Sequence, residues 1–190
     1  MVDIAFIVDS SASKGKDYGK QKEFIKAIGS TLDIVKGGSH AGIVLFSSDS
    51  EVAMKFSESS NASEFTRAID KLPLLGGRGR RMDKALKMAF DRLLKPEYGM
   101  RVDVPQVLVL LTDGGQTQEA GAVALSQAVV PLHEANVKVV VVGIGSDVKR
   151  DELRSIVKSD QDLFMVQDFN RLISKDLSKR VSNAVCVEGR

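Results

Sequence analysis

The chain has 190 residues, 43% of them hydrophobic and 27% charged. That is the balance of a globular protein, and a chain this long buries about 70% of its unfolded surface without needing disulfide or metal staples. A net charge of +2 argues against a dedicated nucleic-acid protein, and no apolar run approaches the roughly 18 residues that cross a membrane.

Apolar runs alternate with helical stripes along the chain. AFIV (5–8) has the length of a buried strand. Phe24, Ile25, Ile28, Leu32 and Val35 then recur at three- and four-residue spacings, as one face of a helix does. GIVLF (42–46) predicts a second strand, and EVAMKF (51–56) an edge strand reached by a hairpin turn at SSDS (47–50). SEFTRAIDKL (63–72) predicts a short helix with Ser63 as its N-cap, and Met82, Leu86, Ala89, Phe90 and Leu93 form another helical stripe. QVLVLLT (106–112) is the strongest central strand, and 120–135 reads as helical with a kink or break at Pro131. VKVVVVGI (137–144) is a further buried strand, DELRSIV (151–157) a short helix, FMV (164–166) the last strand and 169–181 a closing helix.

The predicted order is β-α-β-β-α-α-β-α-β-α-β-α. Nearly pure apolar strands between helices imply a doubly wound α/β fold: a mostly parallel six-stranded sheet with one antiparallel edge strand and helices on both faces. Ligands bind such folds at the carboxyl ends of the central strands. Two stretches stand there, DSSAS (9–13) and TDGGQT (112–117).

Asp9 and Asp113 each end an apolar strand, and in this fold the two strands can lie side by side. Two carboxylates in one crevice repel unless a cation separates them or one is protonated. With the hydroxyls of Ser11 and Ser13 they form an all-oxygen set, which suits Mg²⁺ or Ca²⁺ better than Zn²⁺. The local alternatives are helix capping for the serines and a D-G turn for Asp113. His40 and His133 lie near neither strand end in sequence and are expected to be structural.

Five blocks taken together, DIAFIVDSSAS, AGIVLFSSDSEV, LLGGRGRRMDKAL, VLVLLTDGGQT and VVVVGIGSDV, resemble a von Willebrand factor type A domain in order and spacing, from Val2 to about Cys186. The resemblance implies a Rossmann-like sheet and a metal-ion-dependent adhesion site loaded with Mg²⁺ or Mn²⁺, with Ca²⁺ as a further candidate. The residues matching Ser11 and Ser13 would ligate the metal directly, and those matching Asp9 and Asp113 directly or through water.

One family ligand is missing. The hydroxyl expected in the loop before the third helix falls on Arg80 when counted back from MDKAL, and on Gly79 when counted from the two glycines. An Arg80 guanidinium directed at Asp9 and Asp113 would neutralise them in place of a metal; directed at solvent, it would leave a weaker metal site. Asp83 is near enough to assist, although a first-turn acid also serves the helix dipole. Arg78, Arg80 and Arg81 read either as a solvated loop or as a partner-binding cluster for a polyanion such as a glycosaminoglycan, or for an acidic protein surface.

Cys186 is the only cysteine. It resembles the second of a pair found in extracellular A domains, whose partner would lie outside the chain. The resemblance therefore implies one module, residues 1–190, of a larger secreted protein similar to matrilins and collagen VI. The expected function is protein–protein adhesion in the extracellular matrix, with collagen among the candidate partners. The alternatives are a structural domain with a degenerate, metal-free site and polyanion binding through the arginine loop. Catalysis is not expected: no histidine lies near Ser11 in sequence, an aspartyl phosphatase would need a second acid where Ser11 stands, and neither glycine-rich stretch fits a nucleotide-binding motif.

Overall fold

Six strands form one sheet in the computed structural model, which describes residues 1–11, 15, 17–59 and 61–186. They are β1 (Asp3–Asp9), β2 (His40–Phe46), β3 (Ser50–Met54), β4 (Gln106–Thr112), β5 (Lys138–Ile144) and β6 (Leu163–Val166). Their spatial order is β3-β2-β1-β4-β5-β6. Only β3 runs antiparallel, pairing with β2 at the edge. The doubly wound, mostly parallel sheet expected from the alternating pattern is the observed fold.

Strand residues alternate between two cores, as the two-residue period of a strand requires. Ile4, Phe6 and Val8 face one core with Phe24, Ile25 and Ile28 of α1 (Tyr18–Thr31) and Val181 and Val185 of α8 (Lys175–Val185). Ala5 and Ile7 face the other with Met82, Ala85 and Leu86 of α3 (Met82–Met88). Phe65 and Ile69 of α2 (Ala62–Asp70) join the first core. Coverage on both faces explains why the strands are uniformly apolar rather than half polar.

Several boundaries differ from the sequence pattern. The first helix stops at Thr31; Asp33 adopts φ 54°, and Val35 lies outside the helix and is exposed. Asn61 caps α2, accepting from the Glu64 amide at 2.9 Å, so Ser63 is a first-turn residue rather than the cap. The expected helix over 120–135 is two short ones, α4 (Leu125–Ala128) and α5 (Val130–Glu134). Gly121 at φ 80° is incompatible with a helix, and Pro131, lacking an N–H, is suited to the first turn of a new one. The short helix α6 (Arg150–Arg154) follows β5, close to its predicted place. The closing helix is likewise divided into α7 (Phe169–Leu172), capped by Asp168, and α8, capped by Ser174. Phe56 belongs to a 3-10 turn (Phe56–Glu58) beyond β3.

The amino ends of the strands carry a clamp. Asp3, fully buried, accepts from the Arg101 amide at 2.7 Å and from Arg101 Nε at 3.0 Å. His40 opens β2 at this same end, and His133 lies in α5, so neither is at a carboxyl strand end.

Candidate functional site

The central pair β1 and β4 runs in parallel register, with Val8 opposite Leu111. Asp9 therefore stands beside Thr112, and Asp113 follows one residue later. Strand order reverses here, β2 lying on one side of β1 and β4 on the other, which makes this the crevice where doubly wound sheets bind ligands. Asp9 is fully buried, and Ser11, also buried, donates its amide to Asp9 Oδ1 at 3.1 Å. Ser13 lies outside the described residues.

Arg80 supplies the third wall. Its Nε lies 3.3 Å from Asp9 Oδ2 and its Nη2 3.2 Å from Asp113 Oδ1, so one guanidinium spans both carboxylates. The side chain is only 24% exposed, against 0% for Asp9 and 18% for Asp113. Backbone bonds aim it. The Arg80 amide donates to Thr117 Oγ1 at 2.8 Å, and the Thr117 amide returns a bond to the Arg80 carbonyl at 3.0 Å. The preceding Gly79 amide donates to Ser48 Oγ at 3.0 Å, and a Cβ at Gly79 would fall 2.7 Å from that oxygen. Below the guanidinium lies Gly114, where a Cβ would come within 2.8 Å of Arg80 Cζ.

Of the two loop positions, Gly79 is a close-approach glycine against Ser48, and Arg80 is the residue that enters the crevice. The three arginines do not form one cationic surface, which corrects that part of the partner-binding expectation. Arg78 is exposed. Arg80 faces the two aspartates. Arg81 is buried, donating Nε and Nη2 to the two oxygens of Asp83, both at 2.8 Å.

Arg81 and Asp83 form the centre of a second network. Arg81 also reaches Glu119 Oε1 at 3.2 Å and the Gly121 carbonyl at 3.1 Å, while Asp83 accepts from the Val123 amide at 3.0 Å. Gln116 accepts from the Asp83 amide at 2.8 Å and donates to the Val123 carbonyl at 2.7 Å. Burial raises the Asp83 pKa, but the hydrogen bonds from Arg81 and from the Val123 and Lys84 amides outweigh it and hold the carboxyl below its usual range. The same pairing with Asp83 raises the Arg81 pKa. Asp83 thus fastens 116–123 to the start of α3 rather than serving the crevice directly.

Residues outside the candidate ligand set do much of the positioning. Ser10 donates to the Pro73 carbonyl at 3.1 Å and accepts from the Leu75 amide at 2.8 Å, tying the loop that leads to Arg80 onto the end of β1. Tyr18 also donates to the Pro73 carbonyl, at 2.8 Å, and burial is the main cause of its raised pKa. No local signal distinguishes these roles from ordinary capping, because each partner lies 31 to 65 residues away. Cys186 is exposed and lines a pocket with Met1 and Val2, beside the amino end of β1.

A doubly wound, mostly parallel sheet with paired aspartates at its switch point defines a Rossmann-like α/β domain. Residues 3–180 match the von Willebrand factor type A domain, and the chain belongs to that family. Among its relatives, the mouse collagen alpha-4(VI) chain is 33% identical over 188 residues, covering 97% of this chain and 8% of the relative. Chicken matrilin-1 is 27% identical over 190 residues, covering 98% of this chain and 37% of the relative. The human von Willebrand factor A domain-containing protein 2 is 28% identical, covering 76% of this chain and 18% of the relative. The chain thus spans well under half the length of these proteins, two of which carry the names of extracellular matrix components. In fold it is similar to proximal thread matrix protein 1 from the mussel byssus, with a TM-score of 0.90, 23% identity and coverage of 97% of this chain and 47% of that one. Another structure of that protein, at 22% identity and the same TM-score with 98% and 48% coverage, has a zinc-occupied MIDAS motif.

Whether this chain's residues fit such an ion turns on Arg80. Asp9, Ser11 and Asp113 offer the oxygen donors a hard cation prefers. The guanidinium, however, already stands between the two carboxylates. A divalent ion bound to the same oxygens would lie against a fixed positive charge. In this arrangement the residues do not fit the ion.

Proposed function

We propose that this chain is a protein–protein adhesion module of a secreted extracellular matrix protein, built as one unit, residues 1–190, of a longer polypeptide. It binds a matrix partner, with collagen as the first candidate, through the face at the carboxyl ends of β1 and β4. The convergence of Asp9, Ser11, Arg80 and Asp113 at the switch point carries this reading, and membership of a family with collagen VI and matrilin relatives supports it. Binding here is read as recognition rather than catalysis, in keeping with the matrix relatives. A bridge from Cys186 to a cysteine outside the chain belongs to the same proposal; its exposed position is compatible with it.

A divalent ion at Asp9, Ser11, Ser13 and Asp113, Mg²⁺ or Mn²⁺ with Ca²⁺ as a third candidate, is the alternative organisation of this face. The zinc-occupied motif of the mussel protein favours it, and it requires Arg80 to swing out. The glycosaminoglycan reading keeps only Arg78 of its three arginines at the surface.

The test is binding of the folded domain to immobilised fibrillar collagen, collagen VI and heparin. Arg78→Ala and Asp113→Ala alter the proposed face, and Lys36→Ala alters the opposite end. The expected result is a loss of at least about tenfold in collagen affinity, about 1.4 kcal/mol, for the first two substitutions and none for the third. Equal binding by all variants would place the contact elsewhere. Heparin retention lost only in Arg78→Ala would move the function to the polyanion reading. No ligand in any arm would leave a structural role.

A further inference from the structure

We infer that Arg80 is a built-in counter-ion that takes the place of the metal, so that the adhesive crevice of this chain is assembled without a divalent cation. The inference rests on the preceding reading only for what the crevice is used for.

Three observations on different elements meet in it. The guanidinium uses two different nitrogens for two carboxylates at the ends of adjacent strands, Nε for Asp9 at 3.3 Å and Nη2 for Asp113 at 3.2 Å. Its backbone is fixed from both sides by Thr117, and the approach is opened by Gly79 against Ser48. The floor is Gly114, where any Cβ would press to 2.8–2.9 Å on Cζ, Nε and Nη1. A surface arginine swinging through solvent would need neither the strap nor the floor. Arg80 also stands where the resemblance expects a hydroxyl ligand, so one substitution both removes a metal ligand and supplies a positive charge.

The physical argument is one of compensation. A fully buried carboxylate such as Asp9 has given up its water and needs a positive charge beside it in exchange. A divalent ion provides this reversibly and is lost to chelators. An arginine provides it covalently and holds the position between the two carboxylates itself. The crevice should therefore keep its shape in EDTA, and adhesion should not depend on cation supply.

The experiment is thermal unfolding of the wild type, Asp9→Ala, Arg80→Thr and the double variant Asp9→Ala with Arg80→Thr, each in EDTA, Mg²⁺, Mn²⁺ and Ca²⁺. A cation held by the native state alone at hundredfold excess over its dissociation constant raises the melt of a domain this size by about 5–10 °C. The wild type is expected to melt at one temperature in all four buffers. Arg80→Thr, which vacates the position and restores a hydroxyl, is expected to melt about 5–10 °C lower in EDTA and to recover with Mn²⁺ or Mg²⁺. The double variant should show no recovery.

Three results overturn the inference: a wild-type rise with any cation that Asp9→Ala abolishes, Arg80→Thr as stable as wild type in EDTA, or a folded Arg80→Thr that responds to no cation. If Arg80→Thr fails to fold, Mn²⁺ uptake by the wild type, read by electron paramagnetic resonance, decides. One Asp9-dependent Mn²⁺ per chain overturns the inference, and no uptake supports it. None of these readouts needs a partner, so the absence of any matrix ligand defeats the adhesion reading and leaves Arg80 untouched. Collagen binding that EDTA abolishes does the reverse.

Discussion

Replacing Arg81 with methionine keeps most of the side-chain volume and removes the charge that faces Asp83 across two hydrogen bonds of 2.8 Å. Both residues are buried, at 6% and 4% exposure, so the variant leaves a carboxylate in a dry site. Breaking a buried pair from one side costs about 3–5 kcal/mol. Asp83 keeps the Val123 amide at 3.0 Å, which favours the lower end of that range. A loss of about 3 kcal/mol lowers the melt of a domain this size by about 6–12 °C. The pH dependence gives a second check. In the wild type the folded pKa of Asp83 is depressed, so its stabilisation is present above the unfolded value of about 3.9 and is lost as pH falls through the folded value. Without Arg81 the largest of the causes that lower the folded pKa is gone, and that pKa rises. The deficit of the variant against the wild type therefore shrinks as pH falls toward 4, where the depressed carboxyl begins to lose its contribution. Urea unfolding at several pH values reads both effects. A deficit under about 1 kcal/mol at pH 7, or one that is no smaller at pH 4, refutes the buried-pair argument.

Gly29→Ala places a Cβ 2.2 Å from Phe65 Cε1, and that ring is itself buried. The overpacking cost of about 1–3 kcal/mol exceeds the roughly 1 kcal/mol of helix propensity gained, so α1 and α2 should separate and stability fall; a variant at or above wild-type stability in urea contradicts the packing. Asp3→Asn weakens the clamp on Arg101 at the amino end of β1 and should cost about 1.5–3 kcal/mol, because charge-assisted bonds become neutral ones. An unfolding midpoint unchanged by Asp3→Asn would show that the clamp contributes nothing.

The class of fold is legible in short windows. AFIV, GIVLF, VLVLL and VVVV carry no polar side chain because their sheet is covered on both faces, and that property needs no knowledge of which strand pairs with which. The placement of Asp9 and Asp113 at strand ends follows for the same reason, since a charge closes the apolar run. Helix boundaries are less legible, because the periodic stripe runs on through points where one atom decides. Pro131 lacks a donor, Gly121 adopts a positive φ, and the Ser174 hydroxyl caps a new start.

The sequence by itself determined that Asp9, Ser11 and Asp113 would stand at the carboxyl end of a parallel sheet. It left the direction of Arg80 open, and only the tertiary structure decided it. Thr117 holds the Arg80 backbone from 37 residues away, Gly114 leaves room beneath the guanidinium, and the parallel register of β1 and β4 brings Asp9 and Asp113 to the same side chain. Arg81, adjacent in sequence and identical in chemistry, turns instead into a buried pair with Asp83. Neighbouring arginines have the same intrinsic preferences, so what separates them is the set of distant partners that the fold presents to each.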